Sequence, residues 1–242
     1  THENPDEEKI KKLSTFINNF GYTLHIGSDE VHPKELQKLL SKIEGTEEEP
    51  LISRLLLRSM ARAIYTPECS GHFGLAASYY CHFTSPIRRY PDLQIHRIIK
   101  DDLRGRLDKG GRIGKYSSIL QHVAEQSSAM EQRAAEAERE AVKLKKAEYM
   151  LEHVGEEYDG VISGVTGWGF YVELPNTVEG LVHIMTLKDD YYNFDEENYR
   201  LVGEQHGRVF RLGEPVRVRV RNAEPANRTI DFTYVEKETE TE

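Results

Sequence analysis

Apolar residues recur along this chain at two different periods, and the place where the period changes divides it. Over residues 6–19 (DEEKIKKLSTFINN), Ile10, Leu13, Phe16 and Ile17 fall at helical spacing, acids occupy the first turn and Gly21 follows the end. His32-Pro33 opens a second amphipathic helix, with Leu36, Leu39, Leu40 and Ile43 on one face and Gly45 as its stop. A third helix is expected from Pro50 to Tyr65, with Leu51, Ile52, Leu55, Leu56 and Met60 in its stripe. The stretch TPECSGHFGLAASYYCHFTSP reads as irregular connection with a short element near 74–79. Ser85-Pro86 is a good helix start, because Ser caps and Pro tolerates the first turn. That helix should continue through RRYPDLQIHRIIKDDL to Leu103, with Pro91 costing least in the first turn or two. From Tyr116 to His153 no Pro or Gly interrupts a run rich in Ala, Glu, Lys and Leu. The pattern there predicts one helix of about 35 residues, with the face of Met130, Ala134, Ala137, Val142 and Leu144 assigned to core packing.

After Gly155 the period becomes 2. EYDGVISGV, WGFYVEL and VEGLVHI are short β-branched and aromatic runs separated by Gly, Pro and Asn. PVRVRVRNAE alternates strictly, with Val216, Val218 and Val220 on one side and Arg217, Arg219 and Arg221 on the other, and RTIDFTYVE supplies a fifth strand. Between the third and fourth strands lies a polar excursion, LKDDYYNFDEENYRLVGEQHGRVFRLG, read as solvated loop. Five short strands suggest an OB-type β-barrel. The expected class is therefore α+β with two domains: a helical part over 1–153, a five-stranded OB-fold barrel over 154–236, and an acidic tail over 237–242.

Composition narrows the classes. With 242 residues, 38% of them hydrophobic, the chain can support a core, so wholesale disorder is excluded. No run of eighteen apolar residues exists, so no membrane partner is expected. The opening THENPDEEKI has no initiator Met and no signal-peptide pattern, which suggests an internal start or processing. Cys69 and Cys81 lack ligand or disulfide-framework spacing, and a cytoplasmic location fits them best. The net charge of −9 argues by itself against a general polyanion binder. The average hides a division, however: residues 151–242 hold 19 Asp/Glu against 9 Lys/Arg, whereas 1–150 are nearly balanced.

Two stretches carry candidate chemistry. In YCHFTSPIRRYPDLQIHR, Arg88, Asp92 and His96 recur at i, i+4, i+8, with Arg89, Leu93 and Arg97 beside them. Two guanidiniums near a helix N-terminus make a phosphate site. The same spacing also fits an ion-pair network, Arg88 with Asp92 for instance. In the barrel, Trp168 and Tyr171 could be core residues. Because Phe170 and Val172 oppose Tyr171 in the alternating run, not all of them can be.

The string GVISGVTGWGFYVELPNTVEGLVHIMTL resembles the S1-type RNA-binding domain over most of 154–236. That resemblance implies RNA contacts at Trp168, Tyr171 and His183, with Glu224 and Arg228 near the last hairpin, although the family more often has Asp where Glu224 stands. The stripe of Arg217 and Arg219 could add phosphate contacts. HFTSPIRRYPDL followed by HR, after LLLRSM…AIY…GHFGLA, resembles the C-terminal part of the catalytic domain of the RNB-type family of processive 3′-to-5′ exoribonucleases. The RRYPD variant and the acidic excursion favour its ribonuclease R branch over its ribonuclease II branch. The resemblance implies hydrolysis of single-stranded RNA to nucleoside monophosphates, with magnesium held by a cluster of aspartates. It also implies that Arg88 contacts the reacting phosphate and neutralises charge developing there. Ser85, Thr84 and Tyr90 would shape the segment that presents Arg88, Arg89 and Arg97 would be further phosphate contacts, and His96 would be structural.

The aspartate cluster that the family carries far upstream of its SPIR string has no counterpart here. The dense acidic groups, Glu47-Glu48-Glu49, Asp189-Asp190, Asp195-Glu196-Glu197 and the tail, read as solvated. The expectation is a C-terminal third of such an enzyme, monomeric, whose partners are single-stranded RNA and the missing N-terminal portion, and whose magnesium ligands lie outside this chain. Such a chain would bind RNA without hydrolysing it. The alternatives are a stand-alone, non-catalytic RNA-binding adaptor and a helical scaffold with a protein-binding barrel; the start without Met favours the fragment.

Overall fold

The computed structural model describes residues 1–27, 31–46 and 48–236; Glu47 and the tail 237–242 lie outside the described residues. The chain forms two compact units, one of Thr1–Glu44 and Leu55–Glu136, the other of Gly45–Arg54 and everything from Ala137 onward. The barrel unit thus includes a helical segment from the N-terminal half and the end of the long helix. Among the described residues no helix is long and apolar enough to cross a membrane. Both cysteines are free and exposed.

In the first unit, α1 (Glu7–Asn18) starts where the Asp6 carboxylate accepts the Lys9 N–H at 3.1 Å, and it buries Ile10, Leu13, Phe16 and Ile17. In α2 (Pro33–Ile43) the buried stripe is narrower than expected: Leu36, Leu39 and Ile43 are covered, but Leu40 is 40% exposed. The third helix, α3 (Glu49–Ser59), ends six residues before the expected Tyr65. The backbone beyond it bonds elsewhere: Ile64 N–H reaches Thr1 O at 3.0 Å, and Tyr65 N–H reaches Ser128 Oγ at 2.9 Å. A 3-10 turn at Phe73–Leu75 is the short element of the irregular stretch.

Helix α4 (Tyr90–Leu103) corrects the expected start at Ser85-Pro86. Pro86 to Arg88 instead form a turn in which Ser85 O accepts the N–H groups of Arg88 (3.3 Å) and Arg89 (2.9 Å). Pro91 then falls in the first helical turn, where a missing N–H costs nothing. Helix α5 (Arg112–Leu151) is a single element of 40 residues. Its expected core face is corrected as well: Met130 is 49% and Val142 47% exposed, Ala134 and Ala137 are also exposed, and the buried positions are Ala124, Ala147 and Met150. Local pairs such as Glu140–Lys143 and Lys145–Glu148, together with good helix formers, support the exposed stretch.

The second unit is built on β1 (Glu157–Thr166), β2 (Gly169–Glu173), β3 (Glu179–His183), β4 (Tyr192–Asp195), β5 (Arg200–Gly203), β6 (Val209–Arg211), β7 (Pro215–Glu224) and β8 (Thr229–Val235). Strands β1-β2-β3-β8-β7 close into a five-stranded barrel in which only β3 and β8 run parallel. Its interior holds Ile162, Phe170, Val172, Val182, Val216, Val218, Val220 and Phe232. The excursion is not a solvated loop: β4-β5-β6 form an antiparallel sheet. Tyr192, Leu201, Phe210 and Leu212 of this segment are buried, and Phe210 stacks on Phe170 of the barrel at 4.7 Å.

The interior is packed to contact at Gly180, where an added Cβ would sit 2.6 Å from the buried ring of Phe232. Gly180→Ala is therefore expected to destabilise the barrel by about 1–3 kcal/mol. Gly114→Ala, in helix α5 with open space around it, should stabilise by up to about 1 kcal/mol. Urea unfolding of the two variants checks both signs.

Candidate nucleic-acid interface

The residues before α4 are held by side chains on its first two turns. Asp92 has no exposed surface, and its Oδ2 accepts Ser85 N–H at 2.8 Å, Arg89 Nε–H at 3.2 Å and Arg89 Nη2–H at 2.8 Å. Burial alone would raise the carboxyl, but the Ser85 N–H and the Arg89 guanidinium outweigh it and hold the group below the usual aspartate range. One turn further, His96 Nε2–H donates to Phe83 O at 2.8 Å and its ring stacks on Phe83 at 4.3 Å.

The ion pair foreseen for Arg88 is thus made by its neighbour Arg89. Arg88 lies before the helix rather than on its face, and its exposed guanidinium has no hydrogen bond or ion pair among the described residues. Ile87 beside it is fully exposed. Tyr90 and Arg97 are engaged with each other: Arg97 Nη1–H donates to Tyr90 Oη at 3.4 Å and to Gln94 Oε1 at 3.1 Å, and the guanidinium lies 5.7 Å from the Tyr90 ring centre.

Sequence reasoning missed the groups next to this segment. Tyr65 Oη shares a 3.0 Å hydrogen bond with His82 Nδ1 on the wall of a cavity of about 500 Å³, also lined by Tyr80, His72 and Glu131. Burial, followed by the Glu131 charge, pushes the Tyr65 hydroxyl up to about 12, and burial with nearby Arg89 lowers His82. No spacing in the sequence links residues 65, 82 and 131; only the fold brings them together.

On the barrel, the alternation at β2 holds. Phe170 and Val172 point inward with no exposure, while Tyr171 lies half-buried on the outer face opposite Leu181 of β3. His183 stands opposite Gly169 on the same face, and its Nδ1 accepts Met185 N–H at 3.2 Å. Trp168, 54% exposed, occupies the β1–β2 turn, its carbonyl accepting Ile184 N–H at 2.9 Å. Gly169 permits this approach: its φ is +146°, and a Cβ would come within 2.1 Å of Val182 O. Trp168, Tyr171 and His183 thus gather at one end of the β2–β3 surface.

The arginine stripe lies elsewhere and is already paired. Arg217 Nε reaches Glu157 Oε2 at 2.9 Å, Arg219 Nη2 reaches Glu157 Oε1 at 2.6 Å, and Asp159 lies 3.7 Å from Arg217. The two guanidiniums hold the Glu157 carboxyl below its ordinary range. Strand β7 pairs with Glu157–Val161 of β1, whereas β2 pairs with Val161–Thr166, so stripe and aromatics occupy different arcs of the barrel. Arg228 sits in the β7–β8 turn with φ +57° and pairs with Glu140 at 3.0 Å, and Glu224 is exposed opposite Thr229. A further organiser, read as solvated, is Asp190. Its covered carboxylate accepts the N–H groups of Tyr191 (2.7 Å), Gln205 (3.0 Å) and His206 (2.7 Å), joining the entry to β4 to the β5–β6 turn.

Comparison with known proteins agrees with both halves. Residues 1–105 match the RNB domain and residues 152–234 the S1 RNA binding domain. Ribonuclease R 1 of Lactococcus lactis is 45% identical over 98% of this chain and 29% of its own length; ribonuclease R of Aquifex aeolicus is 47% identical over 98% and 33%. The apo form of Mycoplasma genitalium RNase R superposes with a TM-score of 0.90 at 24% identity, covering 97% of this chain and 37% of that one, which shows a shared fold. An RNB portion followed by an S1 barrel defines the class: the chain carries an RNB domain and an S1 RNA binding domain. Within it, its relatives are ribonuclease R, and the chain spans about a third of the length of the relatives it matches.

Asp92 and Asp190 both sit below the ordinary aspartate value when folded, Asp190 because its three backbone donors outweigh burial. A depressed folded pKa stabilises above the unfolded value and is lost as pH falls through the folded one. Urea midpoints are therefore expected to hold above about pH 4 and to fall below it. Asp190→Asn should lower stability at neutral pH and flatten that acid-side slope. A pH series of urea melts reads both effects.

Proposed function

We propose that this chain is the C-terminal portion of a processive 3′-to-5′ exoribonuclease that hydrolyses single-stranded RNA to nucleoside monophosphates with magnesium, acting in the cytoplasm as a monomer. The observation that carries the reading is Arg88: an unpartnered, exposed guanidinium on a segment whose other basic members are already engaged. Arg88 would meet the reacting phosphate and neutralise the charge that develops on it. RNA as the ligand is supported by Mycoplasma genitalium RNase R, which has been solved in complex with ribose methylated single-stranded RNA and with double-stranded RNA.

Magnesium needs about six oxygen ligands in near-octahedral geometry. The described residues do not fit it. None of them form a group of three His, Cys, Asp or Glu able to hold a metal, and Asp92 near Arg88 has its Oδ2 committed to Ser85 and Arg89. In this reading the metal ligands belong to the rest of the longer enzyme, which is this chain's partner along with RNA. The barrel's part is to hold the strand, with bases stacked on Trp168 and Tyr171 and His183 at their edge.

Single-stranded RNA should bind this 242-residue chain, and combining Trp168→Ala with Tyr171→Ala should weaken binding by about tenfold to a hundredfold. Replacing Arg217 and Arg219 by Gln should cost less, because Glu157 and Asp159 already offset their charge. Fluorescence anisotropy with a labelled oligonucleotide measures each. Unchanged affinity on loss of the two aromatic rings would exclude the stacking surface. Magnesium-dependent release of mononucleotides by this chain alone would overturn the division of labour, and a longer protein that binds RNA without degrading it would point to an adaptor.

A further inference from the structure

Resting on the reading of Arg88 just given, we propose that Asp92 is the positioning residue that sorts the adjacent arginine pair, neutralising Arg89 and leaving Arg88 for the phosphate. Two identical side chains stand next to each other in the sequence, and nothing local distinguishes them. The distinction comes from one buried carboxylate oxygen. Asp92 Oδ2 accepts Ser85 N–H on one side of the turn and both Arg89 donors on the other, so it grips the segment at the two residues that bracket Ile87 and Arg88. Ser85 O closes the same turn on the N–H groups of Arg88 and Arg89. His96 pins the incoming chain at Phe83 O.

The arrangement leaves Arg88 outward and uncompensated while the charge of Arg89 is spent inward: the Arg89 side chain keeps only 17% of its exposure, and that of Asp92 none. The second oxygen, Asp92 Oδ1, is buried and has no hydrogen-bond partner among the described residues. An amide in this position could still accept from Ser85, but its NH₂ would have no acceptor and Arg89 would lose its counter-charge. A phosphate could then draw Arg89 out in competition with Arg88, so the position requires a carboxylate.

The test uses the full-length enzyme with Arg88→Ala, Asp92→Asn and the double variant, assayed for single-stranded RNA degradation. Arg88→Ala should lower kcat by about two to three orders of magnitude. Asp92→Asn should lower it by about tenfold to a hundredfold with KM little changed, as expected when a reacting group is misplaced. The double variant should be no slower than Arg88→Ala alone, because Asp92 acts only through Arg88. Multiplying effects, or an Asp92→Asn enzyme that melts earlier but keeps its kcat, would overturn the positioning role. An Arg88→Ala enzyme of unchanged kcat would instead remove the reading of Arg88 itself. Should Asp92→Asn not fold, Arg89→Lys, which keeps the charge and loses the two-pronged contact, runs through the same cycle: a several-fold fall in kcat that vanishes in the Arg88→Ala background supports the proposal, and a fall that persists there overturns it.

Discussion

A carboxylate removed from water costs several kcal/mol unless donors replace its hydration. Both units of this chain are organised around that constraint. Asp92 and Asp190 are covered, and each collects three hydrogen-bond donors from irregular backbone or from a neighbouring guanidinium. Neither serves as a surface charge. Each pins backbone that lies outside any helix or strand: the turn before α4 in one case, the entry to β4 and the β5–β6 turn in the other. The exposed side chains near them in the chain, Arg88 before Asp92 and Tyr191 after Asp190, owe their placement to these hidden anions rather than to regular secondary structure.

Much of the fold could be read from spacing. The buried positions of α1 and the strict alternation of β7 follow directly from residue order, because one face of each meets a core and the other meets water. Where the reading failed, a long-range contact outweighed a local preference. Ser85-Pro86 has the chemistry of a helix start, but the Ser85 N–H is claimed by a carboxylate seven residues on. In the excursion Tyr192, Leu201 and Phe210 lie on strands of three or four residues, too short for a period to emerge among the charges around them. In α5, Met130, Ala134 and Val142 fall at plausible core spacing, yet an alanine-rich helix offers similar stripes on several sides, and the packing elsewhere decides which is covered.

The site was legible in the same uneven way. The outward placement of Tyr171 follows from Phe170 and Val172 on either side of it; that of Trp168 does not, because it shares their parity and is exposed only through its place in the β1–β2 turn. The loss of the arginine stripe to Glu157 does not, since the partners stand 60 and 62 positions apart and meet only when β1 pairs with β7. This pairing also changes the meaning of the net charge. Part of the acidity of the barrel unit is internal balance, and the patch of Trp168, Tyr171 and His183 lies on an arc apart from those guanidiniums. Under the proposed function, such a surface would hold a strand more by stacking than by ion release, with a correspondingly shallow dependence on salt.

Closure of the barrel has one more consequence. The open rim of a sheet is a row of unsatisfied amide and carbonyl groups onto which a foreign chain can add itself. The ring β1-β2-β3-β8-β7 has no such rim. Strands β4 and β6, which flank the second sheet, are only four and three residues long and carry Asn193, Asp195 and Arg211. A molecule that leaves Trp168, Met185 and Tyr191 bare to solvent would otherwise invite self-association. Here the strands beside Trp168 and Met185 are closed into the barrel and the one beside Tyr191 is only four residues long, so a chance encounter between two copies has little to propagate along.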